Sequence, residues 1–188
     1  MDITRLLQAV NDGQKDAMEQ LAPLVYDELR WLAHRQMQRE HGPRTLSTTG
    51  LVHEAYLKLA EGEELPAENR RHFFGAAAHA MRQIMVSEAR RRGAGKRGGD
   101  VVRLTLDAAT LSIDELSTEI LALDQALDRL KEVDDRLAQV VECRFFGGLT
   151  VDETSIAVSA STRTVKRDWR LARAWLYREL NGLASEPA

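Results

Sequence analysis

Apolar residues recur along most of this chain at three- and four-residue intervals, the period at which side chains share one face of a helix. Ile3, Leu6, Leu7 and Val10 make the first stripe, and Asn11-Asp12-Gly13 predicts its end. Met18, Leu21, Leu24, Val25, Leu29 and Leu32 make a second, in which Pro23 predicts a helix start or a kink. The HGPRT stretch at 41–45 is a breaker. A third stripe runs from Leu51 through Val52, Ala55, Tyr56 and Leu59 and closes near Glu61-Gly62. A fourth helix is predicted over about residues 67–92, with Phe73, Ala77, Met81, Ile84 and Met85 facing inward.

The periodicity then lapses. RRRGAGKRGGD, at 90–100, is rich in glycine and charge and reads as a linker. VVRLTL, at 101–106, alternates weakly, but a lone strand has no partner in a helical chain, so it reads as extended linker. Helical spacing resumes near Thr118, with Ile120, Leu123, Leu127 and Leu130 in one stripe and Leu137, Val140, Val141 and Phe145 in the next, ended by Gly147-Gly148. A short helix over 151–158, a turn at 159–161 and a longer basic helix from Thr162 describe a helix-turn-helix. The pattern therefore predicts an all-α fold of two small helical domains, 1–96 and 118–183, joined by a flexible linker over 97–117 and followed by a tail at 184–188.

Composition narrows the class. The chain is 44% hydrophobic and 29% charged, which places it outside the disordered regime. No apolar run reaches the length of a bilayer span, and the N-terminus lacks the basic start and apolar core of a signal peptide, so a cytoplasmic protein with no membrane partner is expected. The one cysteine, Cys143, cannot form an internal disulfide and reads as a buried small residue. The histidines show no metal-binding spacing, and no nucleophile triad, carboxylate–metal cluster or phosphate loop stands out; no metal, no cofactor and no enzymatic activity are expected.

The net charge of −3 hides strong segregation. Arg70, Arg71, Arg82, Arg90, Arg91, Arg92, Lys96 and Arg97 face only Glu88 within their stretch. Acidic residues dominate from Asp107 to Asp135, and Arg163, Lys166, Arg167, Arg170, Arg173 and Arg178 restore positive charge. Two basic islands predict two places of polyanion contact. In the helix-turn-helix, Ser161 suits a helix cap, and Thr162, Arg163, Thr164, Lys166 and Arg167 are then the residues expected in a major groove, with Arg170 and Arg173 on phosphates. One helix start is unusual. Ser47, Thr48, Thr49 and Gly50 precede Leu51 without a carboxylate, although a helix N-terminus favours negative charge.

Taken together, the chain resembles the extracytoplasmic-function sigma factors of bacterial RNA polymerase. GLVHEAYLKL is similar to the polymerase-binding helix of their region two, NRRHFFGAAAHAMRQIMVSEARRR to the promoter-melting helix, and LTVDETSIAVSASTRTVKRDWRLARAWL to region four. The resemblance implies that core RNA polymerase and promoter DNA are partners. It implies polymerase contacts at Leu51, Val52, Glu54, Ala55, Tyr56 and Lys58. The minus-ten element would meet Asn69, Arg70 and His72 near a flipped base and Arg82, Arg90, Arg91 and Arg92 on phosphates. Phe73 and Phe74 are either core or stacking platform, with core favoured. Region four would read the minus-thirty-five element.

Three departures matter. Ser159 stands where glycine often makes the helix-turn-helix turn, and Ser87 where an acidic residue is usual. The third is larger: the acidic D-A-E-D cluster that precedes L-V-x-E in typical members, and meets a basic coiled coil of polymerase, is replaced here by Ser47-Thr48-Thr49-Gly50. TLSTTGLVHEAYLKL resembles a subgroup with Thr at this place, which implies a phosphorylation switch at Thr49, or secondarily Thr48, written by a Ser/Thr protein kinase. The competing reading is a freestanding helix-turn-helix regulator that never binds polymerase.

Overall fold

A computed structural model describes residues 3–39, 47–61, 70–93 and 113–182. These form eight α-helices and no strand. The first half comprises α1 (Ile3–Asn11), α2 (Lys15–Arg39), α3 (Thr48–Glu61) and α4 (Arg70–Gly93). The second comprises α5 (Ile113–Val133), α6 (Asp135–Val141), a π-helical turn (Glu142–Phe146), α7 (Val151–Ala157) and α8 (Thr162–Gly182). The all-α expectation holds. The 41–45 breaker and residues 101–106 lie outside the described residues.

Local chemistry fixes most boundaries. Gly13, at φ 79°, takes the left-handed conformation that ends α1. Pro23 does not start α2 but lies inside it, exposed, where the helix tolerates the missing N–H donor on its solvent face. Asp134 caps α6 by accepting from the Leu137 N–H at 3.1 Å. Thr150 and Glu153 form a reciprocal capping box at α7. Helix α5 begins at Ile113, inside the stretch read as linker.

The π-turn also corrects the predicted core. Its i→i+5 bond, Gly147 N–H to the Glu142 carbonyl at 3.0 Å, accommodates an extra residue per turn and shifts the phase of the apolar face. Phe146 is therefore fully buried, while Phe145 is half-buried beside it at a ring separation of 5.0 Å.

The helices form two apolar clusters, and each crosses between the halves. Leu21, Leu29, Leu32, Leu51, Phe73, Phe74 and Met81 build the first, joined by Val140, Cys143, Leu149 and Val165 from the second half. Met85, Val86 and Ala89 of α4 join Ile120, Leu123, Leu127, Phe146 and Leu176 in the other. Helix α4 is the shared wall, packed on α3 behind and on α5, the π-turn and α7 in front. Close approach there requires Gly147, because a Cβ at that position would stand 2.7 Å from the Ala78 Cβ and 2.6 Å from Leu149 Cδ1.

Candidate nucleic-acid interface

The helix-turn-helix assembles as its sequence suggests. Ser159 holds φ 50° in the tight turn, the left-handed region glycine would occupy without strain. Ser161 accepts from the Thr164 N–H at 3.1 Å and shares a 2.9 Å bond with the Thr164 hydroxyl, so the first turn of α8 is capped. Val165, Ala172 and Leu176 face the core. Thr162, Arg163, Lys166, Arg167, Arg170 and Arg173 are exposed, with Thr164 half-buried among them.

Asp168 organises this cationic face from beneath. It is 1% exposed, accepts from Arg136 Nε at 2.7 Å and binds Arg167 at 3.1 Å. Guanidinium donors satisfy both of its oxygens, so Arg167 is held in place while remaining accessible. Trp169 does similar work, with Arg144 at 5.4 Å and Arg173 at 6.0 Å from its ring centroid. Neither Asp168 nor the Trp169 stack was read from the sequence; the buried acid among six basic neighbours was the available signal.

The basic stretch of α4 is divided. Arg90 and Arg91 are well exposed, at 69% and 77% of their side chains, whereas Arg82 is 11% exposed and Arg92 20%. Arg82 donates through Nε to Asp124 at 2.8 Å and through Nη2 to Asp128 at 2.7 Å, both on α5. Burial works to lower its pKa, but the hydrogen bonds to Asp128 and Asp124 and the field of Glu142 together raise it above the usual value. Arg91 and Arg92 clamp Glu88 one turn back; burial pushes that carboxyl up, and the two guanidinium bonds more than offset it, leaving its pKa lowered. His72 is exposed. Asn69 lies outside the described residues, as does the side chain of Arg70.

At α3, Ser47 and not a threonine is the cap: its Oγ accepts from Gly50 N–H at 3.0 Å, and its carbonyl from Leu51 N–H at 3.0 Å. Thr48 and Thr49 are therefore the first two helical residues. Thr49 is exposed and lines an open groove with Tyr26, Asp27, Arg30, Trp31 and His34 of α2. Leu51, Val52 and Ala55 are at most 1% exposed and form the inward stripe that fixes α3 on α2. Glu54 and Lys58 are exposed, and Tyr56 is half-buried against Tyr26, at 6.2 Å. Among the described residues no group of His, Cys, Asp and Glu is placed to hold a metal ion, and no helix is long and apolar enough to cross a membrane.

Comparison with known protein families matches residues 1–182 to the ECF sigma factors. The chain belongs to the ECF sigma factor family. It is thus a sigma factor by family, of the class that binds core RNA polymerase and promoter DNA in transcription initiation. Neither the curated proteins nor the solved structures yield a match. In this sigma factor the flank of α4 that carries Arg82 is closed off by α5. Phe73 and Phe74, at 2% and 0% exposure, are core residues of the sigma fold rather than stacking platforms.

Proposed function

We propose that this sigma factor docks on core polymerase through the outer face of α3, opens the minus-ten element with the basic face of α4 and reads the minus-thirty-five element with α8. We further propose that its docking depends on phosphorylation of Thr49, with Thr48 the second choice, by a Ser/Thr protein kinase. The observation that carries the second part is the geometry of the α3 start. Ser47 supplies the cap, so the Thr49 hydroxyl two residues on, in an exposed position, is not needed to satisfy the helix. Carboxylates that would engage a basic polymerase surface are missing from 47–50. A phosphate there would restore about −1.5 to −2 charges and three acceptor oxygens at a helix N-terminus, where the macrodipole favours them.

On this reading residues 1–96 form region two, 118–183 region four, and 97–117 the connection between them. Glu54 and Lys58 border the docking face, with Tyr56 partly beneath it. Thr162, Arg163, Thr164, Lys166 and Arg167 enter the major groove, where Arg163, Lys166 and Arg167 choose the promoter, and Arg170 and Arg173 hold phosphates. The test is capture on core polymerase and promoter-directed transcription with unmodified, Thr49-phosphorylated and Thr49→Ala proteins. Phosphorylated protein should bind and transcribe, the other two poorly, and Thr49→Glu should rescue in part because a carboxylate carries less charge. Equal activity of unmodified and phosphorylated protein would refute the switch.

A further inference from the structure

Asp168 stands where the packing of α8 calls for an apolar side chain. Val165, Ala172 and Leu176 are buried on the inward face of that helix, and Asp168, at helical spacing between Val165 and Ala172, falls on the same stripe. It is 1% exposed. Enclosing a carboxylate there is costly, and well-packed apolar side chains often stabilise a fold as well as a buried ion pair or better. Stability alone thus gives no reason for the acid, but its partners supply one. Its two oxygens are divided: Oδ2 accepts from Nε of Arg136, on α6, at 2.7 Å, while Oδ1 accepts from Nε and Nη2 of Arg167 at 3.2 and 3.1 Å.

The edge of Arg167 that Asp168 takes determines what is left. A guanidinium carries a side edge, Nε–H with one Nη2–H, and an end edge, the other Nη2–H with Nη1–H. Asp168 holds the side edge. The end edge offers two parallel donors, which match the O6 and N7 acceptors of guanine in a major groove. Arg167 remains 57% exposed despite the contact. We infer that Asp168 is a positioning residue for base recognition: it fixes the side edge of Arg167 so that the end edge is presented to a guanine of the promoter, and Arg136 keeps the carboxylate from turning. The inference rests on the reading of Arg167 as a base contact of α8. An unbraced arginine loses rotamer freedom on binding and can turn to phosphates instead, whereas a braced one has less freedom to lose. The acid also repels phosphates, so it favours selection over general affinity.

The probe is the DNA duplex that the unaltered full chain selects from a randomised pool, together with copies carrying adenine for guanine at each position in turn. One guanine preference should disappear in Arg167→Lys, which keeps the charge and lacks the paired donors. Asp168→Asn should lower the preference for that guanine by about three- to tenfold, while binding to a mixed-sequence duplex stays the same or tightens. In the Arg167→Lys background the same substitution should change the preference no further. A role confined to folding would instead weaken both kinds of duplex together. Asp168→Leu, which suits the apolar stripe, serves where the asparagine variant unfolds: it should keep its helical content and lose the same preference.

NMR of the arginine side chains needs no substitution at Asp168. The Arg167 Nε–H signal, assigned by its absence in Arg167→Lys, should be protected from solvent exchange in the free chain and stay protected on the selected duplex. An Nε–H that exchanges freely, a selected duplex without such a guanine, or a parallel loss on both kinds of duplex would overturn the inference. A preference lost in Arg167→Lys but kept in the Asp168 variants leaves Arg167 as a base contact and refutes the brace alone. A preference that survives both substitutions refutes Arg167 as the reader as well.

Discussion

Ser47 and Thr49 stand two positions apart and carry different burdens. Ser47 satisfies the end of α3, so Ser47→Ala should cost about 1 kcal/mol of stability by denaturant unfolding. Thr49→Ala should leave the unfolding midpoint close to that of the parent and remove the response to the kinase. At Ser159 the left-handed backbone costs about 1–2 kcal/mol for an L-residue, partly offset in a glycine by chain entropy. Ser159→Gly should thus gain up to about 1 kcal/mol, and Ser159→Val should lose more than that. Glu88 gives a pH signature. Its folded pKa lies below the ordinary 4.5, so its bonds to Arg91 and Arg92 stabilise the fold above that value and are lost as pH falls through the lowered one. The stability difference between the parent and Glu88→Gln, measured by thermal unfolding across acid pH, should shrink below about pH 4. The cap at Ser47 was not legible in the sequence, because three adjacent hydroxyls are equally able to accept a bond and only the backbone path decides among them.

Elements were more legible than single contacts. The stripes of α1 to α5 and of α8 follow from spacing alone, since each buries one face and the caps at Gly13 and Ser161 are local. Periodicity failed at the π-turn, where the i→i+5 bond moved Phe146 inward in place of Phe145. At α3 spacing alone separates the faces: Leu51, Val52 and Ala55 are core, and Glu54, Lys58 and Thr49 are exposed. The pairing of α4 with α5 was hidden because basic and acidic blocks far apart in sequence do not announce that they meet. Gly147→Ala tests that packing. The added methyl would overlap Ala78 across the contact and Leu149 beside it, so it should cost about 1–3 kcal/mol and speed alkylation of Cys143. Burial, with the field of Glu142, raises the thiol pKa to about 12, so Cys143 should react slowly while the packing is intact.

At the scale of the molecule, two cationic helices are carried on one continuous helical core, one open to solvent on α8 and one partly closed on α4. On the proposed reading, promoter choice belongs to the open face of α8. Loss of Arg163, Lys166 and Arg167 together should relax promoter choice, at about 1–3 kcal/mol for each bidentate base contact, while Arg170→Ala and Arg173→Ala should each lower the salt slope by about one. The most direct measurement is run-off transcription with core polymerase on genomic promoter fragments, using phosphorylated protein and its Arg163→Ala/Lys166→Ala/Arg167→Ala form. The account predicts discrete start sites with the former and loss of that selection with the latter. If neither the phosphorylated nor the unmodified protein binds core polymerase while α8 still binds DNA selectively, the account is contradicted and the chain acts as a freestanding regulator.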